Sequence, residues 1–350
     1  MKLSFVLFVM LVAAGNAAAQ VNDDPASRLT DNDADSAAAP VPAAPPPAAA
    51  PRDDVPNATF RATVDLVALN VVVTDGKQNF VSGLDASNFA VFEDGVRQEV
   101  SFFAAGEIPL DLAILLDTSA SMTDKLATAQ QAAIGFASTL RENDRLLVVD
   151  IKDMTKVIAP LTGDFEGAKQ AIRSTSARGG TGLYNGLYLT LKEMMKARRN
   201  TGDVRRQALV VLSDGDDTTS LMAFDDVMAL AKESGISIYT ITLKSKWATR
   251  PTTIATSSQR YFSQGDYSMK ALAQETGGRA FFPLEITELA GVYASIAEEL
   301  ASQYALGYTS KNPRRDGSYR RVIVRVTDLP GVQTRARSGY LSARAPAAGK

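Results

Sequence analysis

The chain has 350 residues, of which 45% are hydrophobic and 22% charged, a formal net charge of −2, and neither cysteine nor histidine. That inventory excludes disulfides, thiol catalysis, zinc fingers, histidine triads and imidazole bases. The charge balance argues against a nucleic-acid or polybasic membrane binder. Any bound metal must be held by oxygen, which points to Mg²⁺, Mn²⁺ or Ca²⁺.

Residues 1–19 read as a signal peptide. Lys2 supplies the positive end, residues 3–14 the apolar stretch, and Ala17-Ala18-Ala19 a small-residue cleavage site, leaving Gln20 as the mature N-terminus. An uncleaved anchor is the competing reading, but the apolar run is shorter than the ~20 residues a spanning helix needs. The mature chain is therefore expected in a periplasm or outside the cell, without a transmembrane segment. Residues 20–58 form an Ala/Pro-rich linker with Pro45-Pro46-Pro47. Such a composition gives an extended spacer, or a disordered tail with no specific role.

Residues 59–107 read as β structure. Val67, Leu69, Val71 and Val73 alternate, and Asp94-Gly95 is a hairpin turn between residues 89–92 and 98–103. Residues 108–303 alternate strand and helix, which predicts a doubly wound, mostly parallel α/β sheet. Its centre is the continuous apolar run 112–116, the pattern of a strand buried on both faces. Helices are expected over 121–142, 165–174, 183–196, 224–233, 269–275 and 286–303. Strands are expected over 145–151, 157–161, 208–212, 236–243 and 279–282. A polar insertion at 244–267 contains Trp247 and Tyr261. Residues 304–345 return to β structure, with strands at 304–308, 319–327 and 332–341. The two ends of a doubly wound domain lie close together. The flanking β segments are therefore expected to pack as one small β domain. Lys311, Arg314, Arg315, Arg320 and Arg321 read as a solvated basic hairpin face.

The central run ends in Asp117, followed by Ser119 and Ser121. Ligands in open α/β sheets bind beyond the carboxyl ends of the strands. A carboxylate and two hydroxyls there suit a hard cation, or else Asp117 or Ser119 simply caps the next helix. Asp214 ends a second buried run and is expected at the same edge. Thr181 stands in the glycine-rich loop Gly179-Gly180-Thr181-Gly182, which lacks the Gly-Lys-Ser/Thr ending of a phosphate-binding Walker loop. Asp150, Asp216 and Asp217 could add charge around an ion or form ordinary caps and a solvated acidic loop. Trp247 and Tyr261 could contact a partner or pack within their own loop.

Asp117-Thr118-Ser119-Ala120-Ser121, then Thr181, then Asp214 resembles the von Willebrand factor A domain with a metal-ion-dependent adhesion site. The flanks, Val81-Ser82-Gly83-Leu84 with Phe92-Glu93-Asp94-Gly95 and residues 304–308 with 335–340, resemble the acidobacterial-type VWFA-related family. The resemblance implies Mg²⁺ on Asp117, Ser119, Ser121, Thr181 and Asp214. The serines would bind directly, Thr181 when a ligand is bound, and the two acids through water. A partner protein's Asp or Glu would complete the ion, making it a bridge for binding, as in cell adhesion, rather than a catalyst. Two other readings stand beside it. One is an envelope scaffold in which the metal is structural. The other is a phosphatase-like hydrolase with Asp117 as nucleophile. That family places a second Asp where Ser119 stands, so no general acid is present.

Overall fold

The structure is a computed structural model, and it describes residues 66–106, 108–200, 204–213, 216–243 and 263–344. The signal peptide, the linker, residues 59–65, Asp214, and Trp247 and Tyr261 in the insertion lie outside the described residues.

Strand β1 (Leu66–Thr74), β2 (Phe89–Glu93), β3 (Val96–Gln98) and β4 (Val100–Ala105) precede the central strand β5 (Leu110–Asp117). Helix α1 (Leu126–Ala137), β6 (Arg145–Ile151), β7 (Lys156–Thr162), α2 (Phe165–Arg173), α3 (Leu183–Asn200) and β8 (Arg206–Ser213) follow. Then come α4 (Phe224–Ser234), β9 (Ser237–Thr242), α5 (Gln264–Thr276), β10 (Ala280–Phe281) and α6 (Leu289–Ala301). The chain closes with β11 (Tyr304–Thr309), β12 (Tyr319–Val326), β13 (Gln333–Arg335) and β14 (Gly339–Leu341).

Six strands form the central sheet in the order β10-β9-β8-β5-β6-β7. All pairs are parallel except the β6–β7 edge pair. Every residue of β5 is buried. Leu112, Ile114 and Leu116 pack into one core layer with α1, α2 and α6. Ala113 and Leu115 pack into the other with α3, α4 and α5. A strand whose alternate side chains both meet helices has no polar face, which is why its sequence is an unbroken apolar run. The expected doubly wound α/β fold is present.

Several boundaries differ from expectation. The helix expected over 121–142 starts at Leu126 and ends at Ala137, preceded by a short 3-10 turn at Ala120–Met122. Its first turn is lost because the Ala120 N–H bonds the Gly179 carbonyl at 2.9 Å. Its end is fixed by Asp144, whose carboxylate accepts the N–H groups of Arg141 and Leu110, each at 2.8 Å. Helix α5 starts at Gln264 rather than 269. Ser263 and Asp266 form a reciprocal capping box there, with bonds of 3.1 and 2.9 Å. The final helix splits into a 3-10 turn (Ile286–Glu288) and α6, and α3 runs four residues beyond 196.

The strands on the two flanks interleave in two four-stranded sheets, β13-β1-β11-β4 and β14-β12-β2-β3. Strand β11 lies antiparallel between β1 and β4, and β12 pairs with β2. Val67, Leu69, Val71, Phe89, Val91, Leu306, Val322 and Val324 share one core. Asp94 (φ 47°) and Gly95 (φ 83°) form the tight turn between β2 and β3. The expected single strand 332–341 is two strands, because the chain crosses from one sheet to the other between Arg335 and Gly339.

The basic hairpin face needs a larger correction. Arg320 is buried, pointing inward with Val322 and Val324. Its guanidinium pairs with Glu93 at 3.2 Å, and Glu93 also accepts from Tyr308 at 2.9 Å, Ser310 at 2.6 Å and Tyr340 at 2.8 Å. Burial, then the hydrogen bond and charge of Glu93, push the Tyr308 phenol far above its ordinary range, so it remains a donor. Both members of the Glu93–Arg320 pair are sealed from water, so removing one leaves an uncompensated buried charge. Glu93→Ala should therefore cost about 3–5 kcal/mol in urea unfolding. Arg321→Ala, on the outward face of the same strand, should change stability by less than about 0.5 kcal/mol.

Candidate metal-binding site

Strand β5 ends with Asp117 level with Ile151 of β6, one residue past the Leu116–Leu212 pair with β8. Asp117 has 0% exposure. Its Oδ1 accepts the Ser119 N–H at 2.9 Å, and its Oδ2 accepts the Ser213 hydroxyl at 2.6 Å. The carboxylate is thus fixed between its own loop and the end of β8. Ser119 is in an extended conformation (φ −64°, ψ 168°), and its Oγ lies 2.9 Å from Ser121 Oγ. Ser119 is buried while Ser121 is exposed, so the paired hydroxyls open to solvent on one side.

The loop carrying Thr181 is drawn onto this corner by backbone bonds. Arg178 N–H donates to Thr118 O and Ala120 N–H to Gly179 O, each at 2.9 Å. Thr181 is buried, its N–H donates to Thr218 Oγ1 at 2.9 Å, and its carbonyl accepts from the Thr218 and Thr219 N–H groups. Gly180 has no room for a side chain. A Cβ there would lie 2.6 Å from Thr219 Cγ2, 2.8 Å from Asp153 Oδ1 and 2.9 Å from Thr218 Oγ1.

The neighbouring acids have definite places. Asp150 is buried, accepts the Thr118 hydroxyl, and pairs with Lys152 Nζ at 2.5 Å. It thereby steadies the residue between Asp117 and Ser119. Asp217 Oδ1 accepts the N–H groups of Leu183 at 2.8 Å and Tyr184 at 3.4 Å, and the Ser220 hydroxyl at 2.6 Å. It caps α3 from another loop, where a negative charge also suits the helix dipole. Asp216 is exposed.

Ser213 and Asp153 were not singled out in the sequence. Ser213 becomes legible once β5 and β8 are aligned in parallel register, because it then falls beside Asp117. Asp153, whose Oδ1 accepts the Gly180 N–H at 2.5 Å, depends on a loop contact that no local pattern announces.

The donor set can be tested against a cation. Metal–oxygen distances of about 2.05 Å place neighbouring ligands of an octahedral Mg²⁺ about 2.9 Å apart. The Ser119–Ser121 separation of 2.9 Å is that of a hydroxyl–hydroxyl hydrogen bond and is also compatible with adjacent positions on such an ion. Among the described residues no group of three or more Asp or Glu side chains converges, so the hydroxyls are the principal described donors. The described donors, the Ser119 and Ser121 hydroxyls beside the Asp117 carboxylate, suit a hard cation such as Mg²⁺.

Residues 111–275 match the von Willebrand factor type A domain. This segment is a von Willebrand factor type A domain. An uncharacterised protein of Synechocystis is 33% identical over 113 residues, covering 31% of this chain and 26% of its own length. The chain thus spans about a quarter of that relative. A UPF0353 protein of Mycolicibacterium paratuberculosis is 26% identical over 231 residues, covering 62% of this chain and 68% of that protein. A solved von Willebrand factor type A structure from Catenulispora acidiphila aligns at a TM-score of 0.45 and 12% identity, covering 81% of this chain and 76% of that one.

In this von Willebrand factor A domain the Thr181 loop depends on the Asp217 cap. Asp217→Ala should destabilise the fold by about 1 kcal/mol, read as a lower urea midpoint at unchanged slope.

Proposed function

We propose that the chain is an exported protein-interaction module that grips a carboxylate of a partner protein through Mg²⁺ at the von Willebrand factor A site. The observation that carries this reading is the pair of Ser119 and Ser121 hydroxyls, 2.9 Å apart, on a loop anchored by the buried Asp117 carboxylate. Asp117, Ser119, Ser121, Thr181 and Asp214 would hold the ion, with Mn²⁺ or Ca²⁺ as substitutes. When bound, Mg²⁺ supplies a positive charge only partly neutralised by its ligands, which an external Asp or Glu can complete.

The chain's own contribution is pre-organisation. Ser213 and the Ser119 N–H orient Asp117, Asp150 fixes Thr118, and the Thr218 contacts hold Thr181. Less side-chain and loop freedom is then lost when a partner docks. Export is supported by Lys2, the apolar run and Ala17-Ala18-Ala19. Among the described residues no helix is long and apolar enough to cross a membrane.

The test is a pull-down from envelope extract of the source organism with the chain from Gln20 onward as bait. It is run with Mg²⁺, with EDTA, and with Ser119→Ala, a milder change than removing the buried Asp117. A partner should be retained only by the unaltered bait in Mg²⁺. In parallel, Mg²⁺ at a hundred times its dissociation constant should stabilise the fold by about 2.7 kcal/mol, and Ser119→Ala should abolish that gain. A partner indifferent to EDTA, beside a fold that still responds to Mg²⁺, would instead favour the scaffold with a structural metal.

A further inference from the structure

Arg337 carries a guanidinium that the fold holds in place and leaves without an acceptor. It lies in the connection between β13 and β14, which is anchored on either side of it. Arg335 donates to the Gly277 carbonyl at 3.2 Å. Ser338 donates its N–H to the Glu275 carbonyl at 3.3 Å and its hydroxyl to the Glu275 carboxylate at 2.5 Å. Gly277 passes so close that a Cβ there would lie 2.5 Å from the Arg337 backbone nitrogen. The Arg337 side chain rests against Tyr340, with Cζ 5.3 Å from the ring centroid. Its Nε is sealed from solvent and has no hydrogen-bond partner. Among the described residues no carboxylate comes within ion-pair reach of it, and Glu275 is bonded instead to Ser338, Lys232 and Tyr319.

A second guanidinium converges on the same place. Arg198, in the last turn of α3, donates from Nη1 to the Ser234 carbonyl at the end of α4, at 2.8 Å. The next residue, Gly235 (φ 68°), has no side chain. The point where its Cβ would stand is 3.0 Å from Arg337 Nη1 and 3.9 Å from Arg198 Nη1. The two Nη1 atoms are therefore no further apart than those distances together. Burial lowers the Arg337 pKa and the charge of Arg198 lowers it further, yet an arginine stays charged at any ordinary pH. Like charges packed together with unfilled donors cost free energy that an anion relieves. Arg337 is half-buried and Arg198 is exposed, so the pair opens to solvent on the α3 side.

We propose that Arg337 and Arg198 form a binding site for a phosphate dianion or a phosphate monoester. It lies at the ends of α3 and α4, hence at the amino edge of the parallel sheet, away from the loops of the candidate metal site. Two guanidiniums match the charge of one such dianion. Its several oxygens can accept from both, where a carboxylate fills a single fork. Gly235 keeps the approach open, since a side chain there would press on Arg337 Nη1. The site is independent of the carboxylate-binding reading above and of any metal.

The test is isothermal titration of inorganic phosphate into the full mature chain, in EDTA so that no divalent ion takes up the anion. Phosphate should bind one to one, and acetate at equal ionic strength about tenfold more weakly. Arg198→Gln, an exposed change, should weaken phosphate binding about tenfold, and Arg337→Gln should abolish it. Arg321→Gln, on the outward face of β12, should leave it unchanged. Urea unfolding without phosphate checks the fold of each variant, and if Arg337→Gln does not fold, Arg198→Gln decides. A second arm sediments the chain with vesicles of equal parts phosphatidylcholine and phosphatidic acid. Sedimentation that free phosphate competes away assigns a lipid phosphate as the source, and phosphate binding without sedimentation assigns a soluble one. Absence of phosphate binding, equal binding of acetate, or binding unchanged in Arg198→Gln overturns the inference.

Discussion

Asp117 is a carboxylate without solvent exposure at the end of a strand that is itself covered on both faces. A charge in that position is tolerated only if its lone pairs are met by donors. The Ser119 N–H and the Ser213 hydroxyl meet them, one from the same loop and one from the neighbouring strand. Satisfying Asp117 therefore fixes how β5 and β8 end relative to each other. It also holds Ser119 extended, and together with the Ala120 N–H bonded to the Gly179 carbonyl this leaves α1 to start at Leu126.

The opposite end of the sheet is organised by the flanking strands. The chain enters β5 from β4 and leaves α6 into β11, and those two strands pair with each other. Arg335 of β13 reaches the buried Glu299 of α6 at 2.5 Å and the Gly277 carbonyl at 3.2 Å. Glu299 in turn accepts the Tyr239 hydroxyl of β9 at 2.6 Å. The β module is thus bonded to the last helix and to the amino end of the parallel sheet, while the candidate site occupies the carboxyl edge. The candidate metal site and the structural join are separated by the length of the strands.

What the sequence disclosed follows from how local each signal is. Strands β5 and β8 were legible because burial on both faces leaves a continuous apolar run, and β12 because one-sided burial leaves an alternation. The split between β13 and β14 was not, since a strand that changes sheets keeps the same composition on both sides of the break. Arg320 read as surface because its neighbours in sequence are basic. Its partner Glu93 lies 227 residues away and becomes visible only when β2 and β12 pair. Asp117, Ser119 and Ser121 stood out by alternating at the end of an apolar run, and Thr181 by its glycine-rich loop and the family resemblance. Of the supports of that motif, Asp217 stood out only as part of an acidic loop, and Ser213 and Asp153 act through register or loop contacts that left no pattern. The α5 cap is a different case: Ser263 and Asp266 stand three apart at the helix start, a local signal that was present and passed over.

A site built on hydroxyls has a physical consequence that an acidic cage would not have. Each carboxylate bound directly to a divalent ion lowers the attraction left for an outside anion, whereas a serine hydroxyl donates a lone pair without contributing charge. Keeping Asp117 bonded to Ser213 and to the backbone, while Ser119 and Ser121 face the open side, divides the two tasks. Were Mg²⁺ bound here, the buried acid would offset its charge from behind and the neutral oxygens would leave its front electrophilic. Every carboxylate at that edge with a described hydrogen bond to the Thr181 segment, Asp153 and Asp217, is aimed at a backbone N–H rather than outward.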